Sequence, residues 1–235
     1  WNNPTNWTNG VPSAGVATTI FSCTTCPTIS STNHESGYLQ IFNGGKLTIE
    51  TGGHLAIENP GNSALNIWDN ANLNINTDAT LTIQNFYGEG ISVYGSLENS
   101  GSLEIDGGHT GIYTLESGNI SNHSSGDINI TGDFLNYGIF TNSDISNDGN
   151  IIITKAIQAG LYQQNGTITN NHEITIKDTG VNGIFQKNKI INAGQINIEN
   201  ALTGLYSLSA NFENTENGYL NISGSSSLNK GIFAN

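Results

Sequence analysis

Three consecutive stretches of this chain repeat one pattern: GIFTNSDISNDGNIIIT from Gly138, GLYQQNGTITNNHEITIK from Gly160 and GIFQKNKIINAGQINIE from Gly183. Each reads Gly-aliphatic-aromatic, then aliphatic-x-Asn, then a small or polar turn, then aliphatic-x-Ile. The opening step recurs at Gly111-Ile112-Tyr113, Gly138-Ile139-Phe140, Gly160-Leu161-Tyr162, Gly183-Ile184-Phe185, Gly204-Leu205-Tyr206 and Gly231-Ile232-Phe233, at intervals of 27, 22, 23, 21 and 27 residues. A repeat of that length belongs to a solenoid, whose units bury their apolar faces only against one another.

Within each copy apolar and polar residues alternate, as Ile174-Thr175-Ile176 and Ile196-Asn197-Ile198 do. That is a strand period and not a helical one. Three short apolar runs per repeat, separated by Gly, Asn and Ser, give three strands per coil. Stacking coil on coil makes the sheets parallel. The expected fold is therefore all-β, a right-handed parallel β-helix whose turns tolerate insertions. Between Tyr38 and Gln84, Leu39-x-Ile41, Leu47-x-Ile49, Leu55-x-Ile57, Leu65-x-Ile67, Leu73-x-Ile75 and Leu81-x-Ile83 supply two coils. From Gly90, whose step Gly90-Ile91-Ser92-Val93 lacks the aromatic, six more follow, for about eight in all. Longer intervals place insertions near Gly132–Tyr137 and Gly224–Lys230, as loops projecting from the rod.

Two columns follow from the repeat. Asn99, Asn122, Asn147, Asn170, Asn192 and Asn214 each sit two residues after the aliphatic of the second strand. Asn tolerates left-handed backbone and suits a corner, and stacked amides can bond up the column as a structural ladder. The glycine opening each repeat reads as the bend into the first strand. Tyr113, Phe140, Tyr162, Phe185, Tyr206 and Phe233 form an aromatic column. If the neighbouring aliphatics fill the core, alternation turns these rings outward as a stripe that would bind sugars or another protein. Their bulk, and three Phe among them, favour burial instead, under a loop or in the core.

Residues 1–37 do not fit the repeat and read as an irregular cap, with Trp1 and Trp7 over the apolar end and residues 38–235 as the solenoid. The pattern Trp1-x-Asn3-Pro4-x-Asn6-Trp7-x-x-Gly10-Val11-Pro12, followed by a strand at Ala17–Phe21, resembles the start of β-helical modules in large secreted bacterial surface proteins, many of them adhesins. The resemblance implies a structural or adhesive role at the bacterial cell surface or outside the cell. Cys23 and Cys26 are the only cysteines. Two ligands cannot complete a tetrahedral zinc site, and a redox C-x-x-C wants a βαβ context, so a small disulfide in the cap is expected. That pairing suits an oxidising setting.

Six Lys, no Arg and 19 acidic residues give a net charge of −13. Phosphate binding needs a basic surface, so nucleic acid is not an expected partner, and no run reaches transmembrane length. Asp144 with Asp148, and Asp106 with His109, are the nearest approaches to a catalytic pair. The first flanks a turn of the Asn column and fits turn chemistry. No catalytic, metal or cofactor site is expected. The reading is a non-enzymatic stalk or filament segment, with a carbohydrate-binding or polysaccharide-cleaving β-helix as the alternative. The strand opened at Gly231 leaves an unfinished coil, so more solenoid is expected after residue 235, or head-to-tail contact with another copy.

Overall fold

A computed structural model of the chain describes all residues except 2, 4–6, 9, 33, 134, 225–229 and 235. Every strand lies in one of three parallel sheets, and no helix occurs among the described residues. The first sheet has ten strands, from Thr18–Ile20 to Lys230–Ala234. The second and third have nine each, from Thr28–Ile29 to Phe212–Asn214 and from His34–Ser36 to Tyr219–Ser223. The chain visits the sheets in strict rotation, so it forms a β-solenoid of about nine turns. At a strand spacing of about 4.8 Å that is a rod roughly 40–45 Å long.

The alternation in the sequence becomes alternation across the sheet. In the turn made by Ala159–Gln163, Ile168–Asn170 and Glu173–Lys177, Leu161, Ile168, Ile174 and Ile176 are all buried. Each stacks on its equivalent in the next turn, with Leu161 beside Ile184, Ile168 beside Ile190 and Ile174 beside Ile196. Ile128, Ile151, Ile174 and Ile196 form one fully buried ladder, and burying each such side chain stabilises by about 1.5–3 kcal/mol. Leu220, next in that column, is half-buried and packs on the core from the last turn.

The turn count exceeds the eight read from the sequence because a complete first turn lies inside the stretch read as a cap. Its strands are Thr18–Ile20, Thr28–Ile29 and His34–Ser36. Its inward residues include Thr18, His34 and Ser36, which hides the apolar rhythm. Ser36 Oγ donates to Thr18 Oγ1 at 2.9 Å across the buried end. Trp1 and Trp7 meet edge to face at 5.1 Å and pack against the core there. Pro4 and Asn6 of the opening motif lie outside the described residues.

The repeat glycines are not bends. Gly111, Gly138, Gly160, Gly183 and Gly204 lie within strands, and none has a positive φ. They are needed for close approach instead. A Cβ on any of them would meet the Cγ2 of an isoleucine on the third sheet at 2.2–2.4 Å. Left-handed residues stand at the corners: Asn59, Asn85, Gly107, Lys155, Asp178 and Asn200, with φ from 51° to 118°, between the third and first sheets, Gly44, Asn70, Gly166 and Ser209 between the first and second, and Gly52 and Asp78 between the second and third. The 132–137 insertion does not simply project. Leu135 is fully buried and its carbonyl accepts from Ile157 N at 2.7 Å, folding the insertion against the rod. Most of the second insertion, near 224–230, lies outside the described residues.

Candidate functional site

Inside the second sheet the Asn column is a continuous relay. Asn99 Nδ2 donates to Asn122 Oδ1 at 2.8 Å, Asn122 to Asn147 at 2.8 Å, Asn147 to Asn170 at 2.7 Å, Asn170 to Asn192 at 2.7 Å and Asn192 to Asn214 at 2.7 Å. Each donor amide also reaches a backbone carbonyl one turn on; Asn147 bonds Glu173 O at 3.0 Å. Asn99 to Asn192 are at most 1% exposed, and Asn214, in the last turn, is exposed. None has a positive φ, so the column uses the amide and not left-handed corner geometry. Below Asn99 the same column holds Ile75, Ile49 and Ile29. From Asn99 to Asn192 the relay is consumed within the core and offers nothing to a ligand.

A second inward polar column escaped sequence reasoning. Thr114, Thr141, Gln163, Gln186 and Ser207 continue the buried line of Ile20, Ile41, Ile67 and Val93 at the end of the first sheet. Thr114 and Thr141 share a 2.8 Å hydrogen bond, and Gln163 Nε2 donates to Gly166 O and Lys189 O, both at 2.8 Å. The signal was present: the residue after each repeat aromatic from Tyr113 to Tyr206 is polar, and alternation from Ile112 turns Thr114 inward.

The aromatic column faces outward. Ile112, Ile139, Leu161, Ile184 and Leu205 fill the core, while Tyr113, Phe140, Tyr162, Phe185, Tyr206 and Phe233 are half-buried on the outer face of the first sheet. The case for burying these rings in the core therefore does not hold; they bury themselves on one another. Centroids from Phe140 to Phe233 are 4.6–5.0 Å apart, with interplanar angles from 3° to 23°. Parallel strands hold neighbouring side chains at about that spacing, so stacking needs no distortion. Lys187 Nζ lies 5.6 Å from the Tyr162 ring centre and 5.7 Å from that of Phe185. Because the faces meet one another, mainly ring edges reach solvent within the stack.

The early turns carry another stack that the repeat did not reveal. Phe21, Phe42, Trp68 and Tyr94 lie face to face at 5.4, 5.5 and 4.9 Å. They sit two residues further along the strand than the later column, since Tyr113 is in register with Ser92. The two stacks are thus offset on the same face and change over between Tyr94 and Tyr113.

The remaining candidates separate. Cys23 and Cys26 are joined as a disulfide. Asp144 Oδ1 accepts from Thr167 N at 2.7 Å and Asp148 Oδ1 from Asn171 Nδ2 at 2.7 Å, so each carboxylate ties its turn to the next. His109 does not pair with Asp106; its Nε2 meets Asn136 and its Nδ1 meets Thr110. Among the described residues no three metal-ligating side chains come together. Burial lowers the His34 pKa, helped by the positive amino terminus and His54, and burial beside Tyr94 raises that of Tyr38. Comparison with protein-family profiles, curated proteins and solved structures finds no match to this chain.

Proposed function

We propose that this chain is a structural shaft, a rigid non-enzymatic segment of a bacterial cell-surface protein or adhesin that works outside the cell. The observation that carries this reading is the register, continuous along the rod but for one irregularity between Glu58 and Gly61. Each turn pairs with the next in all three sheets, and buried aliphatic and amide columns and an outer aromatic column run through successive turns. Stability in such an array is a sum of nearest-neighbour terms, which lets length grow without a new fold. Low charge, the Cys23–Cys26 disulfide and the Trp-rich opening support an extracellular setting. No helix among the described residues is long and apolar enough to cross a membrane. Immunogold microscopy of intact producing cells, with antibody to this segment, tests the reading. Label held outside the envelope is expected; label confined to the cell interior contradicts it.

A further inference from the structure

The change of column between the two aromatic stacks leaves a gap. Above Tyr94 its column continues with Leu115, and below Tyr113 its column continues with Ser92. Each ring therefore lacks an aromatic neighbour on the side facing the gap. They also make no ring contact with each other. A cleft of about 490 Å³ opens there, lined by Tyr94, Tyr113, Leu115, Asp69, Glu116, Ser117 and Asn142, with Leu115 the next side chain above Tyr94 in its column.

The polar groups around these rings are mostly acceptors. Asp69 Oδ1 takes a hydrogen bond from Ser117 Oγ at 2.7 Å, which fixes that carboxylate against the Tyr94 strand, since the same hydroxyl lies 2.9 Å from Tyr94 O. Asn142 spends its Nδ2 on Thr114 O at 3.1 Å, leaving its amide oxygen as the acceptor. Glu116 is exposed. Carboxylates and an amide oxygen beside ring faces suit a ligand with many hydroxyl donors and a flat CH face.

We propose that this cleft is a binding subsite for a neutral pyranoside, one sugar of a glycan, with its CH face on the tyrosines and its hydroxyls donating to Asp69, Glu116 and Asn142. The volume lies within the range of about 300–1,000 Å³ usual for small-ligand sites. An acidic sugar is disfavoured by two carboxylates on a chain of net charge −13. A simple cation gains little from exposed, hydrated carboxylates. Within each stack the rings cover one another's faces, so the change of column is the one interior break in the stacking. The inference does not depend on the shaft reading, because a shaft and a non-shaft solenoid alike could carry the cleft.

The test is titration of the intact chain, followed by amide NMR, with cellobiose, lactose and mannobiose as neutral probes, trigalacturonate as an acidic probe and spermidine as a cationic one. At least one neutral probe is expected to shift resonances of residues 69, 94, 113–117 and 142. The double variant Asp69→Asn, Glu116→Gln, whose sites are both exposed, is expected to weaken that binding at least tenfold with an unchanged melting temperature. Tyr113→Ala is expected to weaken it as much, and Tyr87→Ala, at an exposed tyrosine outside the cleft, is expected to leave affinity within twofold. No shift with any neutral probe, stronger binding of spermidine or trigalacturonate at these residues, or full affinity in the double variant would each overturn the proposal.

Discussion

Gly160 and Ile176 occupy the same volume from two sheets: a Cβ on Gly160 would stand 2.4 Å from Ile176 Cγ2. The repeat glycine is thus a packing residue, and Gly160→Ala has no free space to enter. Overpacking of this kind costs about 1–3 kcal/mol. Gly231, the second residue of the last strand, has nothing within 4 Å of its Cβ position. Urea denaturation should show the loss for Gly160→Ala and almost none for Gly231→Ala. Equal effects would mean that the glycine acts through its backbone.

The aliphatic ladder sets a second expectation. Ile174→Ala removes a side chain only 1% exposed and should cost about 2–5 kcal/mol. Leu220→Ala, in the same column but half-buried in the last turn, should cost less than half as much by the same measurement.

Asn147 takes a hydrogen bond from Asn122 and gives one each to Asn170 and Glu173 O. Asn147→Ala leaves buried acceptors without donors, at about 1–3 kcal/mol for each group left unpaired. Asn214→Ala, at the exposed end of the relay, should cost less than about 1 kcal/mol. Asn147→Asp replaces the donating Nδ2 with oxygen and should destabilise at neutral pH despite its near-identical shape.

His34 gives a pH dependence with a defined sign. Burial holds its pKa below the ordinary 6.5, so the unfolded chain binds the proton more readily than the folded one. Stability from this group is present above pH 6.5 and is lost as pH falls through the lower folded value. Melting temperature followed from pH 7.5 to 5.0 should decline more steeply for the native chain than for His34→Asn. Parallel curves would remove His34 as a contributor.

The repeat was legible because its inward aliphatics keep a period of two and its Gly-aliphatic-aromatic step returns at coil length. The first turn was not, since Thr18, His34 and Ser36 take inward places that Leu and Ile hold later. The Asn column was visible by spacing, but its burial follows from the sheet register, which spacing alone does not supply. The outward setting of Tyr113 to Phe233 followed from alternation; size argued the other way because it ignored the cover that stacked rings give one another. The change of column at Tyr94 and Tyr113 was hidden, since Phe21, Phe42, Trp68 and Tyr94 lie outside the repeated step and meet only in three dimensions.

Deleting one whole turn tests the modular solenoid most directly. Residues 160–182 run from one repeat glycine to the residue before the next, and Ala159 and Asn182 are already in register. Their removal should close the gap with all three sheets intact, giving a cooperative fold with unchanged circular dichroism and a rod shorter by about 4.8 Å in solution scattering. Deleting only residues 160–170 should break the register and unfold the chain. A whole-turn deletion that unfolds, or a half-turn deletion that folds normally, would contradict the account.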